Sequence, residues 1–252
     1  MDFSNKNVIV TGASGGIGRA IAHQFAQRGG RVLVHYHSNR KAADGLVESL
    51  PGNGHIAMAA DLTDPAQVER LLAGAVDAFE RIDVLVNNAG VYAEHPILQL
   101  TYDDWQKTWD RVLKTNLYGP AHLMYCAIAH MREHDGGRIV NVSSRGAFRG
   151  EPDAPAYGAS KAGLNALGQS LAKALGGEGI YVFTVAPGFV ETKMARPGLD
   201  GPKGDFIRNE SPLGRVAKPE EVARTVAFLA SDGSEFLTGC VVDVNGASYL
   251  RT

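Results

Sequence analysis

The segment Thr11-Gly12-Ala13-Ser14-Gly15-Gly16-Ile17-Gly18 constrains the fold of this chain more than any other. It follows a short apolar, β-branched run at residues 7–11 (NVIVT), which reads as a buried strand. It precedes residues 16–28, where Ile17, Ile21 and Phe25 fall on one helical stripe. Glycines let the backbone turn sharply between strand and helix and approach a ligand closely. The helix amino terminus then offers unpaired N–H groups and a partial positive charge, which suit a pyrophosphate. Gly12, Ser14, Gly16, Ile17 and Gly18 are therefore candidate cofactor contacts. Taken by itself, the same segment also fits a tight turn without a ligand. Its spacing is T-G-x-x-x-G-x-G, which departs from G-x-G-x-x-G.

The rest of the chain repeats the alternation of strand and helix. Arg31–Tyr36 reads as a second strand, residues 41–50 as a helix closed by Pro51-Gly52, and residues 55–60 as a third strand. Asp64 suits the cap and Pro65 the first turn of a helix running to about residue 80. Residues 82–86 form a fourth strand. Residues 103–131 form one long helical stretch, with Trp105, Trp109, Val112, Leu113 and Leu117 as core. Strands at 138–142, 180–185 and 240–244 and helices at 156–176 and 219–230 complete the pattern, with 187–213 read as a loop carrying short helices. The strands are continuous apolar runs, as expected when both faces are covered. The expectation is α/β: a single-domain doubly wound, Rossmann-like sheet of about seven parallel strands flanked by helices, spanning residues 1–252 without linker or repeat. Ligands in such sheets sit beyond the carboxyl ends of the strands, at the switch in strand order.

Composition removes several classes of function. A net charge of -2 with no basic run argues against an electrostatic nucleic-acid footprint and a polybasic membrane patch. No apolar run approaches the ~20 residues that span a bilayer. The first residues carry no signal-peptide pattern. Cys126 and Cys240 make neither a disulfide framework nor a metal site, and free core thiols fit a reducing cytoplasm. No metal is expected.

Tyr157-Gly158-Ala159-Ser160-Lys161 places a phenol and an ammonium at i and i+4, on one face of a helix. A nearby cation favours the phenolate and lowers the tyrosine pKa from its ordinary ~10, toward the range useful for a general acid. The spacing alone is common on solvated helices. A third observation concerns the end of the second strand, His35-Tyr36-His37-Ser38-Asn39-Arg40, where an acid would hold the ribose hydroxyls of NAD. No acid stands there. Arg40 and Ser38, with His37 beside them, suit a 2′-phosphate, so NADP is favoured and NAD is the alternative. A solvated helix start is the plainer reading of Arg40.

Together these segments resemble the short-chain dehydrogenase/reductase family over essentially the whole chain. Thr11–Gly18 is similar to its cofactor turn, and Asn87-Asn88-Ala89-Gly90 to its motif after the fourth strand. Asn116, Ser144, Tyr157 and Lys161 match its catalytic tetrad in order and spacing, and Pro187-Gly188 with Thr192 match the segment flanking the nicotinamide. The resemblance implies that Asp61 and Leu62 meet the adenine, that Asn88, Ala89 and Gly90 flank the adenosine ribose, and that Val190 and Thr192 hold the carboxamide. It implies that Tyr157 is the proton donor, that Ser144 hydrogen-bonds the carbonyl, that Lys161 lowers the Tyr157 pKa and binds the nicotinamide ribose, and that Asn116 holds a water. Asn87 reads equally well as a structural tie to neighbouring strands.

Within that family the pattern is most like the 3-oxoacyl-[acyl-carrier-protein] reductases, through Ser211-Pro212-Leu213-Gly214-Arg215 and Ala227–Ser231. The expected substrate is a small carbonyl or alcohol compound, best a 3-oxoacyl thioester, free or carrier-bound, with sugars, polyols and other secondary alcohols as the alternative. A homotetramer and a cytoplasmic location are implied, and a cofactor-sensing protein without catalysis is the remote reading. Glu133, Asp135 and Glu178 stand where an anionic carrier would prefer bases, and Arg132, Arg138 and Lys173 compensate only in part. Residues 91–98, 145–155 and 187–213 are the candidate substrate loops. Tyr92, His95, Phe148 and Phe189 are candidate contacts, and Arg145 or Arg149 are candidates for an anionic group. Val244-Asn245-Gly246-Ala247 departs from the paired glycines of relatives.

Overall fold

The computed structural model describes residues 1–251. In chain order, β1 (Asn7–Val10), α1 (Gly16–Ala26), β2 (Arg31–Tyr36), α2 (Arg40–Ser49), β3 (Ile56–Ala59), α3 (Pro65–Phe79) and β4 (Val84–Asn87) form the first half. The second half holds α4 (Tyr102–Leu113), α5 (Gly119–Arg132), β5 (Gly137–Val142), α6 (Gly146–Arg149), α7 (Pro155–Leu175), β6 (Ile180–Pro187), α8 (Arg196–Leu199), α9 (Gly204–Asn209), α10 (Pro219–Leu229) and β7 (Val241–Val244). The sheet has seven strands in the order β3-β2-β1-β4-β5-β6-β7, and every pairing is parallel. The predicted architecture therefore stands. The strand order reverses between β1 and β4, where Val8 pairs with Val32 on one side and Val84 on the other.

Alternate residues along each strand feed two separate cores. Val8, Val10, Val32, Val34, Val86, Val140 and Val185 face α1, α2 and α10. Ile9, Leu33, Leu85, Ile139 and Val182 face α3, α5 and α7. This explains why the strands read as unbroken apolar runs: a period-two pattern disappears when both phases are buried. At roughly 25 cal/mol per Å² of apolar surface, each such side chain contributes about 1.5–3 kcal/mol. The sheet is thus a rigid base for the loops at its carboxyl edge.

One predicted element is corrected. The long helix at 103–131 is broken into α4, a π-helical turn at Lys114–Tyr118, and α5. The Gly119 N–H reaches back five residues to the Lys114 carbonyl. Pro120 has no N–H, so it cannot supply the i+4 donor to the Asn116 carbonyl. Such π-turns gather at functional sites, and this one is centred on Asn116. Of the five residues expected in the core of this stretch, only Val112 is buried. Trp105, Trp109, Leu113 and Leu117 are half-buried because α4 packs on α7 at the edge of the sheet layer.

Candidate active site

The glycine turn is held in shape by two side chains. His35, at the end of β2, is buried at 2% exposure. Its Nδ1 accepts the Gly12 N–H at 3.0 Å and its Nε2–H donates to the Ala60 carbonyl at 3.0 Å. Burial, with a smaller contribution from neighbouring His37, pushes the His35 pKa down to about 4, so the ring stays neutral. His35 is thus a brace of the turn. Thr11 is the second brace. Its Oγ accepts the N–H groups of Asn88 (2.9 Å) and Ala89 (3.0 Å), while the Asn88 side-chain amide donates to the Thr11 carbonyl at 2.8 Å. Asn88 and Ala89 are thereby fastened to the turn across the switch point.

The glycines are required where the turn is tightest. Gly12 has φ of +62°, and a Cβ there would lie 2.9 Å from Ala89 Cα. A Cβ on Gly18 would lie 2.5 Å from both the Gly12 carbonyl and the Asn88 amide. Gly16 packs against Thr192, which is 3.3 Å from a Cβ placed on it. The amino terminus of α1 has Gly15 as cap residue, with no side-chain cap bond and no acid in its first turn. Its leading N–H groups are left for an anion. Ser14 is half-buried in the same turn. A dinucleotide pyrophosphate fits this cradle.

The adenosine side is more exposed. Ser38 and Arg40 lie at the start of α2, one residue earlier than expected, with Asn39 capping the helix through Ala42. Arg40 pairs with Asp44 at 3.3 Å and is 80% exposed. His37 approaches Asp61 at 3.8 Å. The Asp61 carboxylate accepts the Thr63 N–H at 2.9 Å, which holds its pKa below the usual carboxylate range. The Leu62 side chain is in the core beside Gly119, so only its backbone remains for the adenine.

Ser144, Tyr157, Lys161 and Asn116 come together beyond β4 and β5. Ser144 is near enough to Tyr157 to lower its pKa and accepts the Gly146 N–H at 3.0 Å. The Lys161 ammonium donates to the Val142 carbonyl at 2.9 Å and lies 5.9 Å from the Tyr157 ring centroid. A Cβ on Gly90 would lie 3.4 Å from that ammonium and 3.3 Å from Asn116 Oδ1, so Gly90 leaves open the space between them. The Asn116 side chain accepts from the Val91 N–H at 2.8 Å and donates to the Val91 carbonyl at 2.9 Å. Asn87 donates to Asn141 at 2.9 Å and so ties β4 to β5.

The electrostatics differ from the sequence expectation. Burial raises the Tyr157 pKa, the nearby Ser144 side chain lowers it, and the Glu151 charge adds to the rise. Burial brings Lys161 down to about 8. Desolvation outweighs the lowering that the neighbouring cation was expected to give.

The substrate loops divide into contacts and supports. Tyr92 stands edge-on to Tyr157 with centroids 5.2 Å apart, and burial followed by Glu151 and Glu94 pushes its phenol up to about 12. His95, expected to meet substrate, is fully buried. Its Nε2 accepts the Ala156 N–H at 3.1 Å, and so caps α7 one residue before Tyr157. Ala154, the cap residue of that helix, has no side chain for the purpose. Arg145 and Arg149, expected to hold an anion, both pair with Glu210, which sequence reasoning missed. Phe189 lies under the Arg145 guanidinium and Phe148 under that of Arg251. Pro187 closes β6, and Gly188 packs on Asn245. Val190, buried, bridges to Ala217.

Among the described residues no cluster of three or more His, Cys, Asp or Glu could hold a metal, and no helix is long and apolar enough to cross a membrane. Cys126 and Cys240 are free thiols.

A doubly wound sheet with a braced glycine turn beside a Ser–Tyr–Lys cluster defines an oxidoreductase class. The comparisons place the chain further. A family model described as enoyl-(acyl carrier protein) reductase matches residues 12–247. The chain is 36% identical over 247 residues to the 3-oxoacyl-[acyl-carrier-protein] reductase FabG of Staphylococcus aureus, covering 97% of this chain and 98% of that one. It is 36% identical over 250 residues to the same-named enzyme of Salmonella typhimurium, covering 99% and 100%. A short chain dehydrogenase from Burkholderia cenocepacia, solved in complex with NADP, superposes with a TM-score of 0.88 at 34% identity, covering 98% and 99%. A dehydrogenase/reductase from Sinorhizobium meliloti superposes at 0.89 with 33% identity, covering 99% and 97%. The chain belongs to the short-chain dehydrogenase/reductase family and is an oxidoreductase.

Proposed function

We propose that the protein is an NADP-dependent reductase that converts the ketone of a 3-oxoacyl thioester to a secondary alcohol, with Tyr157 as proton donor. The observation that carries this reading is the Tyr157 phenol with Lys161 one helical turn on, its ammonium 5.9 Å from the ring centroid, and Ser144 near enough to lower the phenol's pKa. NADPH when bound would supply the hydride and leave as NADP+. The residues of this chain do the rest. Ser144 donates to the carbonyl oxygen as negative charge grows there, and Tyr157 delivers its proton to that oxygen. Lys161 has three N–H donors and spends one on Val142, which leaves two for the ribose. Asn116 holds the water that returns a proton through Lys161. Gly12, Ser14, Gly16, Ile17 and Gly18 cradle the pyrophosphate, and His37, Ser38 and Arg40 receive the 2′-phosphate, which requires Arg40 to exchange Asp44 for it. The 36% identity to 3-oxoacyl-[acyl-carrier-protein] reductases over nearly the whole chain supports the substrate class.

Docking of a carrier protein draws less support. Arg132 is paired with Glu178 at 3.0 Å, and Arg138 with Asp232 at 3.0 Å and with Glu235. These cations are already neutralised for an anionic partner. A second reading, a sugar or polyol dehydrogenase, rests on the acids Glu94, Glu151 and Asp153, whose charges act on Tyr92 beside the catalytic phenol. Carboxylates at a pocket mouth accept hydrogen bonds from substrate hydroxyls. A homotetramer in the cytoplasm completes the proposal, with exposed Tyr118 and Tyr125 on and beside α5 available to partner copies.

The test is a panel of acetoacetyl thioesters and ketoses with NADPH and with NADH, run on the wild type and Tyr157→Phe. Thioester reduction preferring NADPH, and lost by at least about 10²-fold in the variant while NADPH still binds, is the expected result. Ketose reduction alone would transfer the case to the second reading. Near-normal turnover by Tyr157→Phe would remove the assigned acid.

A further inference from the structure

We propose that Glu210 is a positioning residue, which pins the segment carrying α8 and α9 over the site by clipping it to the loop that bears Ser144. This rests on the reading of residues 187–213 as a substrate loop. Glu210 follows directly after α9 and extends its two carboxylate oxygens to different arginines. Oε2 meets Arg145 at 2.5 Å and Oε1 meets Arg149 at 3.1 Å. Arg145 is the residue after Ser144 and is 3% exposed. Its N–H donates to the Pro187 carbonyl at 2.8 Å, its guanidinium donates to Ser248 Oγ at 2.6 Å, and the group stacks 5.1 Å from the Phe189 ring centroid. Arg149 lies in the same loop and also pairs with Glu151 at 3.3 Å.

The energetics give the clip its direction. A buried guanidinium without an acid is strongly unfavourable. Glu210 is the one carboxylate paired with Arg145 among the described residues. Lifting α8 and α9 away from the site would strip Arg145 of its counter-ion. The segment is therefore held where Thr192 touches Gly16 of the cofactor turn. The two arginines that seemed available for a substrate anion are consumed by this internal carboxylate. The consequence is a site whose closed geometry is set by the protein rather than by a charged substrate. Loosening the clip should weaken substrate capture and leave the proton donor intact.

The experiment compares full-length wild type, Arg149→Gln, Glu210→Gln and the double variant. Arg149 is partly exposed, so Arg149→Gln opens one arm while Arg145 keeps its carboxylate, and it carries the test if Glu210→Gln fails to fold. Hydrogen exchange of residues 195–210 is measured first, without substrate. Exchange should accelerate by about ten-fold in Arg149→Gln and more in Glu210→Gln, with no further gain in the double variant and no change in the central strands. KM for any carbonyl compound that the wild type reduces should then rise by about ten-fold, with kcat within about two-fold. Unchanged exchange in residues 195–210, additive effects in the double variant, or a fall in kcat at constant KM each overturns the proposal. Because exchange needs no substrate, a failed substrate panel would count against the reading of function and not against the clip.

Discussion

Protonation of His35 is the perturbation whose size follows most directly from the structure. The neutral ring accepts from Gly12 and donates to Ala60, a pair of bonds that only the Nε2–H tautomer makes. A second proton on Nδ1 would abolish the first bond and leave a cation in a site of 2% exposure. The folded-state pKa is about 4, against 6.5 for the unfolded chain. A depressed histidine pKa means that the unfolded chain binds the proton first. The stabilisation is therefore complete above pH 6.5 and is lost as pH falls toward 4. At 1.36 kcal/mol per pH unit, the loss is about 2 kcal/mol by pH 5 and about 3 kcal/mol by pH 4. His35→Leu should cost roughly 2–5 kcal/mol at pH 7.5, since it orphans one buried N–H and one buried carbonyl. Its stability should then fall less in acid than that of the wild type, by the same ~2–3 kcal/mol. Urea unfolding of both proteins at pH 7.5 and pH 5 measures the difference, and NMR titration of the imidazole gives the pKa directly. A His35 resonance titrating near 6.5, or parallel acid losses in the two proteins, would refute the reasoning. The same variant should weaken NADP binding by about ten-fold, because Gly12 loses the brace that holds its φ positive.

Three further outcomes are expected. With Lys161 at about 8 and Tyr157 raised, kcat/KM for carbonyl reduction should be level below pH 8 and fall above it as the ammonium is lost, and Lys161→Met should erase that break in a pH–rate profile. Gly18→Ala should lose NADP binding while the sheet stays folded, because its methyl meets the Gly12 carbonyl at 2.5 Å; titration of cofactor fluorescence together with circular dichroism checks both halves. Ala247 holds φ of +58°, so Ala247→Gly should raise stability by up to about 1 kcal/mol in chemical denaturation, and a loss of stability there would mean that the turn is not strained.

The last of these accounts for a departure visible in the sequence. Gly246 and Ala247 both adopt positive φ, and Gly246 approaches Ser211 so closely that a Cβ would lie 2.6 Å from its Oγ. A glycine at position 247 would avoid the strain that this chain carries at Ala247. The turn also delivers Ser248 to Arg145, which connects the carboxyl end to the loop after Ser144.

What the sequence determined by itself is whatever local periodicity and local chemistry encode. Unbroken apolar runs separated by amphipathic helices are sufficient for a parallel sheet covered on both faces. Glycines between β1 and α1 specify the cofactor turn, since only they tolerate its approach to Ala89 and Asn88. Tyr157 and Lys161 share a helical face whatever lies around them. The tertiary structure alone decided which distant groups answer these local signals. His35 carried no signal in the sequence beyond its place in a strand, and only the pairing of β2 with β1 set its ring between Gly12 and Ala60. His95 looked like a substrate contact until the loop after β4 laid it on the uncapped start of α7. The π-turn at Asn116 left only Pro120 as a trace, because one inserted residue does not disturb a hydrophobic stripe enough to be read. Glu210 left no trace, since a carboxylate's partners are fixed by folding in space and not by spacing along the chain. Even the Tyr157 pKa depended on that distinction: sequence supplied the neighbouring cation, but burial, which only the packed loops create, set the direction of the shift.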